Sequence, residues 1–252
     1  MIDDRPTFHS GVVRPMECLR GGWALIKDDY WLFMGIAVLG ALIASVAPFG
    51  ILAGPMLCGI YICLLRRHDG KRVKFEMLFK GFDHFVQSFI ATLIMMVPIL
   101  VVMVPCYIAF IAVMMAQMPP PGQKAPPPNG DALGTILGAY ALFLFAMIGI
   151  SILVSILFFF IYPLIVDRKL TGVQAVGLSI RAARANLGGL IGLVLLLNLL
   201  GILGVMACYI GAFFLLPVHF AAVAFAYRKV FPDLDDESSS SVREPERMDE
   251  DD

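Results

Sequence analysis

The chain has 252 residues, of which 59% are hydrophobic and 15% charged. A soluble domain carries roughly 45–50% apolar and about 25% charged residues, so these proportions exclude an ordinary water-soluble fold. The formal net charge of −1 excludes the broad positive field that a nucleic-acid partner or another polyanion would demand.

The first thirty residues, Met1 to Tyr30, are polar and begin with Asp3 and Asp4. A secretory signal would show a basic start, a short apolar core and a small-residue cleavage site. The first hydrophobic segment is therefore expected to be a retained anchor. Within this stretch Met16, Leu19, Trp23, Ile26 and Tyr30 recur at helical spacing, which predicts a short amphipathic helix.

Four runs then carry no Asp, Glu, Lys or Arg: Trp31 to Leu65, Phe85 to Gln123, Ala132 to Val166, and Ala185 to Tyr227. Helices without a wet face belong in lipid, where about 20 residues cross the hydrocarbon. Pro48-Phe49-Gly50 predicts a turn inside the first run, giving spans Trp31 to Ala47 and Ile51 to Leu65.

The loop Arg66 to His84 is basic, with Arg66, Arg67, Lys71, Arg72, Lys74 and Lys80. Phe75, Leu78, Phe79, Phe82 and Phe85 make a second amphipathic stripe there. The second run reads as one long helix bent near Pro98 and Pro105, and the third as another. Between them, Met118 to Asp131 is so rich in proline that an extended, solvated loop is expected.

A second basic loop, Asp167 to Arg184, holds a third stripe of Val173, Val176, Ile180 and Ala183. Thr171 with Gln174 predicts a capping box at its start. The fourth run divides near Gly204 into spans Leu187 to Leu203 and Cys208 to Tyr227. From Phe231 onward, acidic residues and serines predict a disordered tail.

The expected fold is thus all-α, a polytopic transmembrane bundle of six spans with a short amphipathic interfacial helix before each hairpin. Its parts are an N-terminal segment 1–30, a transmembrane domain 31–230 and a tail 231–252. Six spans put both basic loops and both termini on one side, which the positive-inside rule makes cytoplasmic. Four spans with outside termini would leave Arg5, Arg14, Arg20 and Lys27 on the wrong side. The three helix-plus-hairpin units suggest an internal repeat. Pro55 precedes Arg66 by the same eleven residues that separate Pro217 from Arg228.

Chemistry-bearing residues are sparse. His219 and Asn198 are the candidate polar groups inside the membrane, suited to titration or contact with a substrate, or simply to interhelical hydrogen bonds. Asp167 beside Arg168 predicts an ion pair at a helix end. Arg66, Arg67, Lys71, Arg72, Arg181 and Arg184 are candidate contacts to lipid headgroups, anionic lipid being the sharper reading beside the plainer one that these segments pack under the bundle as elbows between spans. Glycines spaced by four at 50 and 54, 134 and 138, and 188 and 192 predict close helix packing, within the bundle or in a homo-oligomer. The five cysteines show no zinc spacing and are expected to be free, buried thiols. No zinc-protease motif, nucleophile elbow or phosphate-binding loop is present. No catalytic residue, metal or cofactor is expected.

Tyr162-Pro163-Leu164-Ile165-Val166-Asp167, followed by Ala175, Ser179, Asn186 and Gly188-Gly189, resembles uncharacterised bacterial multi-pass membrane families. It is loosely similar to the membrane domain fused to some glycerophosphoryl diester phosphodiesterases, over Ile161 to Tyr227 and more faintly over Gly22 to Phe85. That resemblance implies a bacterial inner-membrane bundle and carries no activity with it. The expected role is a non-catalytic accessory or scaffold that organises lipid or another membrane protein. A small transporter or channel for a lipid or small solute is the alternative.

Overall fold

The computed structural model describes residues 8–46, 50–116, 130–207 and 210–232, with the side chains of 130–132 left aside. Pro15–Ile26 (α1) passes through a 3₁₀ turn, Lys27–Asp29, into Tyr30–Val46 (α2). Ala53–His68 (α3) follows. A 3₁₀ segment, Phe75–His84, runs directly into Phe85–Ala116 (α4), a single helix that contains both Pro98 and Pro105. Then come Gly130–Leu157 (α5), Ile161–Asp167 (α6), Gly172–Ala185 (α7), Leu187–Met206 (α8) and Ile210–Val230 (α9).

Five stretches are long and apolar enough to cross a membrane: Pro15–Val46, Phe75–Ala116, Leu133–Asp167, Leu187–Met206 and Ile210–Val230. The expected second span, α3, has 16 residues, shorter than the roughly 20 that cross the hydrocarbon, and is not among these five. Most of the proline-rich loop, the acidic tail beyond Pro232, the residues Pro48-Phe49 and Cys208 lie outside the described residues. Phe231, at the head of the tail, is fully buried and stacks on Tyr227.

The third apolar run is not one helix. It breaks at Phe158 to Phe160, where the Ser179 hydroxyl donates to the Leu157 carbonyl at 2.9 Å and accepts from the Phe160 amide at 3.2 Å. A hydroxyl from α7 thus takes over backbone groups that an unbroken helix would have paired internally. The capping box of Thr171 and Gln174 forms as expected.

The core centres on α3, α6 and the later half of α9, and Ile26 of α1, Ile36 of α2, Leu178 of α7 and Leu190 of α8 pack into it. Met56, Cys58, Leu64, Leu164, Ala221 and Tyr227 are among its fully buried residues. Each of these helices is crossed by one of the three short segments that precede hairpins. α1 packs on α9 and the 3₁₀ segment on α3, while α7 lies against both α4 and α6. A segment always meets the returning helix of the unit before it, and α1 closes the cycle by meeting the last.

Two of the crossings are backbone contacts that tolerate no side chain. A Cβ on Gly22 would lie 2.5 Å from the Ala222 nitrogen. One on Gly59 would lie 1.9 Å from the Leu78 carbonyl oxygen. In α7, Ser179 bonds the break between α5 and α6, and the close backbone contact is at Gly172, where a Cβ would lie 2.5 Å from the Gln87 carbonyl oxygen of α4.

Only part of each apolar stripe is buried: Ile26 in the first, Leu78 in the second, Val176 and Ala183 in the third. In α1 the buried residues are Cys18, Gly22 and Ile26, while Met16 and Trp23 face out. In the 3₁₀ segment Leu78 and Gly81 are buried and Phe75, Phe79 and Phe82 are exposed. In α7, Ala175, Ser179 and Ala182 face in and Val173 faces out. Small residues allow helices to touch at the backbone, and in an apolar solvent large side chains need no protein partner.

Asn186 anchors the N-terminal stretch. It accepts from the Val12 amide at 3.2 Å and donates to the His9 carbonyl at 3.0 Å. The first hairpin is short: Gly50, in left-handed conformation with φ 67°, stands beside Met96, less than halfway along α4.

Candidate functional site

The returning helices end together in a partly buried ionic knot. Arg228, at the end of α9, bridges Asp69 just beyond α3 and Asp167 at the end of α6, at 3.1 Å each. Tyr227 donates to the second oxygen of Asp167 at 2.6 Å. Arg168 donates to the Pro232 carbonyl at 2.7 Å and lies 3.6 Å from Asp167. The Arg228 and Arg168 side chains are each 7% exposed. The cations stand at helix C-termini, where the backbone dipole favours them. The local Asp167 and Arg168 pair was legible in sequence. Asp69 and Arg228, 159 positions apart, were not, because no short-range pattern links them.

Beside this knot lies a basic pocket of about 460 Å³ lined by Arg66, Arg72, Lys74 and Lys80, with Glu76 and Met77. None of the four cations forms a hydrogen bond or ion pair with another described residue. Arg66 leaves the last turn of α3, and the others come from the adjoining loop and 3₁₀ segment, so the α3 crossing gathers them.

The remaining headgroup candidates are placed otherwise. Arg67 pairs with Asp29 at 3.0 Å and Asp28 at 3.7 Å, and donates to the Leu25 carbonyl at 3.3 Å. Lys71 lies 3.9 Å from Asp69. Arg181 donates to the Gly177 carbonyl of its own helix at 3.4 Å. Arg184 is exposed in the last turn of α7. Arg66 and Arg72 are thus the candidates that share a pocket, and Lys74 and Lys80 join them. The latter two were visible in the basic loop, but their convergence depends on how the 3₁₀ segment turns.

The two polar candidates inside the apolar runs share one groove. Asn198 of α8 and His219 of α9 line one groove of about 560 Å³, open at its side and otherwise walled by apolar residues such as Leu197, Ile202, Val205 and Phe220. Asn198 donates to the Val194 carbonyl at 2.8 Å. The His219 ring stands edge-on to Phe220, and its nitrogens have no hydrogen-bond partner among the described residues.

Of the spaced glycines, Gly54 abuts the Ser88 backbone and Gly192 abuts Pro15, whereas Gly134, Gly138 and Gly188 face open space. The described cysteines, Cys18, Cys58, Cys63 and Cys106, are free thiols. Among the described residues no group of three or more His, Cys, Asp or Glu is placed to hold a metal ion. No protein family matches the chain, nor does any curated protein or solved structure.

Proposed function

We propose that this is an integral membrane protein of non-catalytic accessory type, which organises anionic lipid at the cytoplasmic face of a bacterial inner membrane. The observation that carries the reading is the pocket of Arg66, Arg72, Lys74 and Lys80, four cations against the single carboxylate of Glu76 and without an ion pair among the described residues. A phosphate headgroup suits that excess of positive charge, and each basic residue near an anionic surface contributes about 1 kcal/mol. The exposed Trp23, Phe75, Phe79 and Phe82 on the neighbouring segments suit the headgroup boundary.

The threading proposed with it has six spans, α3 being the short second one, and both termini cytoplasmic. The basic loops then share one side, in keeping with the positive-inside rule. A reporter fused after Pro48 tests this directly: cytoplasmic activity there rules out six spans. The lipid reading is tested by reconstituting the protein into phosphatidylcholine nanodiscs with and without phosphatidylglycerol. Changing Arg66, Arg72, Lys74 and Lys80 to Gln is expected to abolish the enrichment of phosphatidylglycerol around the protein. Enrichment equal to that of the parent overturns the reading.

A second reading, a small transporter or channel for a lipid or small solute, draws support from the groove at Asn198 and His219. The packed core of α3, α6 and α9 beside it favours a dead-end binding groove over a through-path.

A further inference from the structure

We infer that the groove between α8 and α9 is a binding site for a neutral lipid of the prenylated quinone class, with Asn198 and His219 hydrogen-bonding its ring carbonyls. This rests on different residues from the anionic pocket and stands independently of it.

Depth is the first argument. Asn198 lies near the middle of Leu187–Met206, and His219 near the middle of Ile210–Val230. If these helices cross a bilayer about 30 Å thick in its hydrocarbon part, both side chains sit roughly 15 Å from either headgroup layer. A phospholipid phosphate or the glycerol backbone of a diacylglycerol is held at that layer and does not reach them. A charged ligand is excluded by the same apolar surroundings.

Donor chemistry is the second. Asn198 has two amide hydrogens and gives one to the Val194 carbonyl. Neutral histidine carries one ring N–H, and the ring nitrogens of His219 have no partner among the described residues. Two donors therefore face an apolar space with no acceptor among the described residues, an arrangement that hydrocarbon penalises. A quinone offers two carbonyl acceptors on a flat, uncharged ring. Its hydrocarbon tail leaves through the open side of the groove.

Room is the third. The volume of about 560 Å³ falls in the range of small-molecule sites, ~300–1,000 Å³. Gly201 lines it and has open space where a Cβ would stand.

The test uses the full chain in phosphatidylcholine nanodiscs and, as probe, a benzoquinone with a ten-carbon tail, measured by equilibrium dialysis. Saturable binding of one probe per chain is expected. Asn198→Leu with His219→Phe is expected to weaken it at least tenfold. Gly201→Leu, whose Cβ has open space, is expected to do the same by filling the groove. The Gln variants of the basic pocket are expected to bind the probe as the parent does. Absence of saturable binding, or affinity unchanged in both groove variants, overturns the proposal. Equal displacement of the probe by dioleoylglycerol also overturns it, because the groove would then be taking acyl chains. So does loss of binding on dimerisation, which would make a second copy the occupant.

Discussion

Arg228 is held by two carboxylates from two other helices while only 7% of its side chain is exposed. Such a residue is costly to disturb one-sidedly. Removing one partner of a buried pair leaves a charge without compensation, at about 3–5 kcal/mol. Arg228→Met is therefore expected to lower the midpoint of thermal unfolding in detergent sharply. Replacing Arg228 and Asp69 together by Met and Leu, which leaves Asp167 with Arg168 and Tyr227, is expected to restore much of the loss, since a well-packed apolar substitute often matches a buried ion pair. If the double variant is no more stable than the single one, the knot contributes something beyond compensation of charge. Asn186 acts by hydrogen bonds alone. Asn186→Leu leaves the Val12 amide and the His9 carbonyl unpaired, so faster amide exchange is expected near residue 12 with the bundle otherwise intact.

At the scale of elements, the segment crossings decide what the sequence could reveal. The three short segments were legible from their periodicity, and the capping box at Thr171 placed the start of α7 correctly. Which face each would bury was not legible. Periodicity ranks faces by hydrophobicity, and that ranking predicts burial only where the alternative is water. With lipid as the alternative, closeness of approach wins, and the buried faces carry Gly22, Gly81 and Ser179. The same principle sorts the spaced glycines. Gly59→Leu drives a side chain into the Leu78 carbonyl and is expected to prevent accumulation of folded protein in the membrane. Gly138→Ala faces open space and removes a flexible residue from the interior of α5. It is expected to raise stability by up to about 1 kcal/mol. Equal behaviour of the two variants in an expression and thermal-melt comparison would contradict the assignment of α3 to a backbone crossing. Of the candidate sites, Asn198 and His219 were legible because polar residues stand out in apolar runs. Asp69 and Arg228 sit at helix ends, where charge is ordinary, and only the meeting of three helices makes them unusual.

Over the whole molecule the three hairpins differ in reach. α2 and α3 have 17 and 16 residues, α8 and α9 have 20 and 21, and α4 and α5 have 32 and 28. At about 1.5 Å per residue these are roughly 25, 30 and 45 Å long, against a hydrocarbon layer of about 30 Å. Cys106 lies 21 residues into α4 and is half-buried, so under the proposed threading it comes level with the far boundary. In a Cys208→Ser background, a membrane-impermeant maleimide added from outside is expected to label Cys106 and to leave Cys18, Cys58 and Cys63 unmodified. No labelling would mean that the hairpin tilts enough to keep Cys106 in hydrocarbon.

The meeting of the Gly50 turn with Met96 bears on the form of the membrane itself. At the end of the molecule that holds the ionic knot, all three hairpins and all three short segments contribute to the cross-section. Past Met96 the first hairpin has ended, and toward Ala116 α4 has chiefly α5 for company. Such a body is a wedge. Under the proposed threading it displaces more area in one leaflet than in the other, and lipid fills the room beneath the shortened side. Enough copies gathered in one patch would curve a bilayer, convex on the face where Arg228 ties the helices together.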